Sequence, residues 1–164
     1  MKIVGLISDT HIPARAKVIP AKVLKIFDDV SLIIHAGDLT QMKIVEDLER
    51  LAPIAAVCGN MDDHDVREKL AETRSVSVEG WKILVVHSLG IFTTEQKMKK
   101  MTEQNNFHIV VFGHTHRPLV KWQEKTLFIN PGSPTNPIPP FIIKPSVGLL
   151  KISADKIEPE TVKI

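Results

Sequence analysis

The chain has 164 residues, 43% hydrophobic and 24% charged, with a formal net charge of +2; that length fits one domain spanning residues 1–164 and leaves little chain for a second, substrate-capping unit. The mild excess of Lys and Arg is scattered, which argues against specific nucleic-acid binding, where a clustered basic stripe is needed. Cys58 is the only cysteine, so a disulfide framework and a thiolate metal cluster are both excluded.

Ile3–Ile7 is an apolar run that turns polar at Ser8-Asp9-Thr10-His11. Runs of this kind read as buried strands, because both faces are apolar. This one is too short for the core of a signal peptide, and no small-residue cleavage site follows it. No stretch approaches the ~18 apolar residues of a membrane span; no membrane association and a cytoplasmic location are expected. Pro20 suits the first turn of a helix running to about Asp29, with Val23, Leu24 and Phe27 on one face. Leu32–Ile34 is a second strand, leading through His35-Ala36 into Gly37-Asp38. Met42–Leu51 returns to helical spacing through Ile44, Val45, Leu48 and Leu51, and Ile54–Cys58 is a strand that ends in Gly59-Asn60. This strand–helix alternation predicts parallel pairing with right-handed crossovers.

The later chain changes character. Val76–Val78 and Ile83–Val86 flank Gly80 as a hairpin, and the second strand ends in His87. Thr94 to Glu103 has helical spacing with Met98 and Met101 facing in, and Ile109–Phe112 ends in Gly113-His114-Thr115-His116. Leu119–Trp122 and Thr126–Ile129 predict a hairpin turning at Glu124-Lys125; Gly148–Ile152 and Ile157–Val162 add a last pair. Prolines from Pro134 to Pro145 rule out a helix or central strand between them. The expected architecture is an α/β fold, a four-layer αββα sandwich of two mixed sheets flanked by helices.

Metal-capable side chains fall where these strands end: Asp9 and His11, Asp38, Asn60, His87, and His114 and His116. In α/β sheets ligands bind beyond the carboxyl ends of strands, where loops converge on a rigid frame. In Asp9-Thr10-His11 and His114-Thr115-His116, alternate residues of an extended segment would face one pocket. Carboxylate, imidazole and amide donors without thiolate suit Mn, Fe, Co, Ni or catalytic Zn, with Mn the first choice. The set is too large for one open catalytic ion and suits two. Asp38, on a central strand between the two groups, is the expected bridge.

Taken together, Asp9-Thr10-His11, Gly37-Asp38, Gly59-Asn60-Met61-Asp62, His87 and Gly113-His114-Thr115-His116 resemble the signature of the calcineurin-like metallophosphoesterase superfamily. The start of the chain and Asn130-Pro131-Gly132-Ser133 look like its small bacterial and archaeal phosphodiesterases. The resemblance implies the four-layer sandwich, and two divalent ions per chain. One would sit on Asp9, His11, Asp38 and His116, the other on Asp38, Asn60, His87 and His114. It also implies hydrolysis of small organic phosphodiesters by a hydroxide bridging the ions, with Asp38, Asn60 and His87 among the catalytic residues. Homodimers or homotetramers are common among such relatives, and the apolar Phe141-Ile142-Ile143 is a candidate contact patch.

The match has two departures. Met61 stands where many relatives carry a His that helps protonate the leaving group, and His64 is the nearby substitute. His87-Ser88-Leu89-Gly90 replaces a His-Gly-His, which predicts a more apolar pocket wall at Leu89. Elsewhere bland readings suffice: His35 as a core residue or a support for a ligand, His108 as an exposed residue, Cys58 as a small buried hydrophobe. Lys97, Lys99 and Lys100 read as a solvated helix face, and Asp62 and Asp63 as caps of the next helix. Trp81 and Trp122 fit either core or contact surface. Two other functions compete: a non-catalytic scaffold resembling the retromer cargo subunit, and a phosphomonoesterase or nucleotide phosphatase.

Overall fold

The structure, a computed structural model, describes residues 1–90, 95–104, 106–135 and 143–164. The first sheet is built from β1 (Lys2–Ile7), β2 (Leu32–Ala36) and β3 (Ile54–Val57), which run parallel, and from β9 (Ser146–Ile152) and β10 (Ile157–Lys163), which close it antiparallel. Its order is β10-β9-β1-β2-β3. The second sheet, in the order β4-β5-β6-β8-β7, contains β4 (Thr73–Val78), β5 (Trp81–Val86), β6 (Ile109–Val111), β7 (Leu119–Gln123) and β8 (Thr126–Asn130). Here β5, β6 and β8 are parallel, and the β4–β5 and β7–β8 hairpins supply the antiparallel edges.

The two-residue period of each strand explains the layers. Val4, Leu6, Ile34, Ala55 and Val57 face Ile83, Val85, Ile109, Val111, Leu127 and Ile129, giving a dry core between the sheets. The alternate residues Ile7, Ile33 and Ala56 face outward onto Val23, Phe27, Ile44, Val45, Leu48 and Val66. Those belong to or adjoin α1 (Ala21–Ile26), α2 (Lys43–Glu49) and α3 (His64–Lys69). On the far side, Val110, Phe112 and Phe128 meet Met98 of α4 (Glu95–Gln104). The expected αββα sandwich is the observed one. A buried aliphatic or aromatic side chain contributes ~1.5–3 kcal/mol, so three apolar layers hold the strand ends rigidly.

The first two helices are shorter than their apolar spacing predicts, and the fourth, Glu95–Gln104, has about the expected length. Phe27 already ends α1, and Met42 and Arg50 bracket α2. Met98 is buried and Met101 packs beside it, as the spacing requires. Thr94 and the run Phe141-Ile142 lie outside the described residues, and with them most of the candidate contact patch. No helix among the described residues is long and apolar enough to cross a membrane.

Candidate metal centre

The parallel strands of both sheets deliver their polar residues to one place. Asp9 N donates to Gly37 O and His11 N to Asp38 O, both at 3.0 Å, which ties the loop after β1 to the loop after β2. Gly113 N donates to His87 O at 2.9 Å, pairing the segments after β6 and β5 in the same way. The sheets meet where His114 N donates to both carboxylate oxygens of Asp9, at 3.0 and 3.1 Å. Two glycines make this crowding possible. A β-carbon on Gly37, at φ +85°, would lie 2.7 Å from His87 Nδ1, and one on Gly59 would lie 2.2 Å from Asp38 Oδ1.

The seven metal-capable side chains at the strand ends converge here. His11 Nε2 lies 3.2 Å from His116 Nε2, and His116 Nε2 lies 3.4 Å from Asp9 Oδ1. Asn60 Oδ1 lies 3.0 Å from both His87 Nε2 and His114 Nδ1. Between these two groups stands Asp38, whose Oδ2 is 3.7 Å from His11 Nε2 and 3.3 Å from His87 Nε2. Asp9, His11 and His116 can offer one donor atom each within 4.8 Å of one another, and so can Asp9, Asp38 and His87. His87 Nδ1 is 2.8 Å from Ala36 O. A carbonyl only accepts, so Nδ1 carries a proton, and Nε2 is the ring nitrogen left to face Asp38 and Asn60 and to serve as the donor to an ion there.

Residues 1–155 match the calcineurin-like phosphoesterase superfamily domain. The chain belongs to that superfamily. It is 38% identical over 162 residues to a probable metallophosphoesterase of Methanothermobacter thermautotrophicus, covering 98% of this chain and 92% of that one. A phosphodiesterase of Methanocaldococcus jannaschii is 29% identical over 145 residues, covering 79% of this chain and 82% of the relative. Vacuolar protein sorting 29 from Cryptosporidium parvum shares the fold, with a TM-score of 0.87 at 22% identity over 99% of this chain and 91% of its own. Metal-dependent phosphoester hydrolysis is thus the chemistry of the superfamily this chain joins.

Electrostatics sets the protonation states of this phosphoesterase site. Burial alone would raise Asp38, but hydrogen bonding and charge from His87 and the Met61 N–H at 2.8 Å outweigh it, so its carboxyl sits below the usual range. His87 is the reciprocal case: burial opposes its charge, and Asp38, Asp9 and the Ala36 carbonyl raise its pKa. Asp9 is fully buried, and desolvation lifts its pKa to about 6 against the pull of His116 and His87. Burial lowers His11 and His114, keeping both imidazoles neutral and able to donate lone pairs.

The donors are held in strained backbone. Asp9, His11, Asp38, His114 and His116 have φ of 53°, 44°, 57°, 70° and 55°, in the left-handed region that ordinary residues avoid. The extended geometry expected for Asp9-Thr10-His11 and His114-Thr115-His116 is therefore not what aims these side chains; left-handed turns do it. Their support comes from the segment after β8. Asn130 donates to Gly113 O at 2.8 Å and to Thr115 Oγ1 at 3.1 Å. Ser133 Oγ donates to Asp9 O at 2.8 Å, and Thr135 Oγ1 to Thr10 O at 2.6 Å. Asn130-Pro131-Gly132-Ser133 was visible as a motif, but its partners lie far away in sequence, so its role was not.

Other expectations change. Asp62 does not cap α3; its carboxylate accepts from Thr40 N at 2.5 Å, Gly59 N at 2.6 Å and Asp38 N at 3.2 Å, organising the loop that aims Asp38. Asp63 occupies the N-cap without a side-chain hydrogen bond. Met61 is 60% exposed and serves the site through its backbone N–H alone. His64 lies on the surface of α3, 3.7 Å from Glu68, and supplies no substitute proton donor at the centre. Leu89 packs into the cluster under α4 rather than lining the pocket. His108 is half-buried, accepting from Lys82 N at 2.9 Å with its ring edge-on to Trp81. Trp81 donates to Ser153 O at 2.7 Å and packs on the inter-sheet core, whereas Trp122 is 50% exposed. His35 is fully buried, 3.2 Å from Thr10 Oγ1, as a support beneath the site.

Proposed function

We propose that this protein is a phosphodiesterase that hydrolyses small organic phosphodiesters with two divalent ions. Asp9, His11, Asp38 and His116 would hold one, and Asp38, Asn60, His87 and His114 the other. The observation that carries this reading is Asp38 Oδ2 standing 3.7 Å from one group of donors and 3.3 Å from the other. The donor set fits such ions: carboxylate, imidazole and amide atoms crowd one spot, and no thiolate joins them. Two bound ions supply the charge that lowers the pKa of water and neutralises phosphoryl oxygens in an in-line displacement.

The chain's own residues do the positioning. Asp38, held ionised, and the lone pairs of neutral His11 and His114 define the two half-sites. The Ala36 carbonyl fixes the tautomer of His87. Neither Met61, turned to solvent, nor His64, facing Glu68, supplies the missing leaving-group acid. Esters of acidic alcohols such as nitrophenol, which need little protonation, are expected to react fastest. A cleft beside Asn60 and His87 has room for the organic arm of an ester, and the similarity to an archaeal phosphodiesterase supports diesters as the substrate class.

The test is turnover of bis-p-nitrophenyl phosphate by protein loaded with Mn or Ni, against p-nitrophenyl phosphate as the monoester. Chelation and Asp38→Ala should each abolish the diester activity. Activity surviving both would sink the proposal, and a faster monoester would move it to a phosphomonoesterase. A non-catalytic binding role is the weaker reading because the donor set is intact. Calorimetric titration showing no divalent-ion binding would restore it.

A further inference from the structure

A cleft of about 600 Å³ opens directly beside Asn60 and His87, bounded by α3, the start of β4 and the end of β5. Its walls are mixed: Leu70, Ala71 and Val86 are apolar, while Ser88 and Thr73 offer hydroxyls. Volumes of this order hold a small organic ligand, with a few polar groups fixing its orientation. Arg67 is the cation in that wall. Its Nε donates to Asp62 O at 2.9 Å and its Nη2 to Asn60 O, so the guanidinium is anchored to the very loop that carries Asn60. Both partners are carbonyls, and Arg67 forms no ion pair with a carboxylate among the described residues; Glu72, also in the wall, does not reach it. A guanidinium has five N–H donors, and the remaining ones are free to meet an anion.

We infer that this cleft is a specificity subsite, which takes one ester arm of the substrate and in which Arg67 reads an oxyanion on that arm. The inference rests on the phosphodiesterase reading and narrows it to substrates whose ester arm ends in a carboxylate or a second phosphate. Arg67 is a binding residue here, with the two carbonyls serving to aim its fork.

The test uses methyl phosphodiesters of propanol, 3-carboxypropanol, 3-phosphopropanol and 3-aminopropanol as competitive inhibitors of bis-p-nitrophenyl phosphate turnover by the metal-loaded protein. Either oxyanion arm should bind about tenfold more tightly than plain propyl, the gain of one charge-assisted hydrogen-bonded pair. The amino arm should bind most weakly. The tighter of the two oxyanion arms identifies the natural source. Arg67→Gln should level the series, and Arg67→Lys should keep part of the preference. Leu70→Trp, which fills the cleft, should weaken all propyl arms while leaving dimethyl phosphate unchanged. An equal series in the unaltered protein, or an oxyanion preference that survives Arg67→Gln, would overturn the inference.

A second readout needs no turnover. Inorganic phosphate titrated into the chelator-treated chain should saturably shift the NMR signals of the Arg67 Nε–H and the amides of Asn60 and Ser88. Such shifts without any diester turnover would refute the catalytic reading alone. Turnover without them would refute the subsite alone.

Discussion

The two halves of the centre are built differently. Asp9, His11 and His116 are 0%, 8% and 6% exposed, and the segment after β8 ties down the loop that carries the first two. Asn60 is exposed and His114 half-buried, and the cleft opens on their side. Of the donors that belong to this second half alone, only His87 is buried. One half therefore resembles a structural clamp and the other a working face. Burial supports rigidity in the clamp, and openness leaves room for a substrate arm on the other side, where His114 is left-handed as well.

The sharpest way to break that contrast is to remove one donor from each half. Asp9→Ala deletes a fully buried carboxylate and the acceptor of His114 N, and it should reduce diester turnover by ~10³-fold or more, the scale of losing an electrostatic stabiliser in a dry site. His114→Ala, at the solvent-facing half, should cost less, ~10²-fold, because water can take the vacated position. Steady-state kinetics with metal analysis of each variant measures both. Equal losses would mean that burial does not distinguish the halves.

Smaller effects should follow from the supports. Asn130→Ala removes the amide that holds Gly113 O and Thr115 Oγ1, and the expected loss in metal affinity or rate is ~10–100-fold, as for other residues that orient metal ligands. Asp62→Asn keeps the shape but replaces one acceptor oxygen by a donor facing the N–H groups of Asp38, Thr40 and Gly59. A loss near ~10-fold is expected, with a fall in the unfolding midpoint, since a buried N–H left unpaired costs about 1–3 kcal/mol. Calorimetric metal titration separates the two variants: Asn130→Ala, which loosens the loop carrying both His114 and His116, should weaken both halves, whereas the damage of Asp62→Asn is centred on Asp38.

These residues also show where sequence reading stops. The strand ends and the polar side chains that cluster beyond them are legible because two-residue periodicity marks a buried strand and polar residues mark where it ends. The superfamily was legible because the blocks keep their order. Left-handed backbone at Asp9, His11 and His116 was not, since nothing local distinguishes it from an extended segment. Asp62 has the sequence signature of a cap because capping is the commonest use of Asp before a helix, and its partners Thr40 and Asp38 are brought to it only by the parallel pairing of β2 and β3. Arg67 carried no signal at all, because its role depends on which carbonyls lie beside it.

The mildest prediction concerns stability and reaches beneath both halves. His35 is fully buried, its Nδ1 has no hydrogen-bond partner among the described residues, and burial pushes its pKa down to about 3, with the charge of His87 adding to the effect. The folded chain thus keeps this imidazole neutral while the unfolded chain protonates it near its ordinary value of 6.5. Between those values the unfolded state binds more protons, so the His35 contribution is fully favourable above pH 6.5 and is lost progressively as pH falls toward 3. The loss amounts to about 2 kcal/mol on going from neutral pH to about pH 5. His35→Leu removes the titration, so its denaturation midpoint should change less over that interval than that of the unaltered chain, whatever the substitution does at neutral pH. Urea denaturation of both at several pH values decides it. Parallel acid limbs would show that the carboxylates and histidines of the centre, rather than the imidazole beneath them, set the acid sensitivity of the fold.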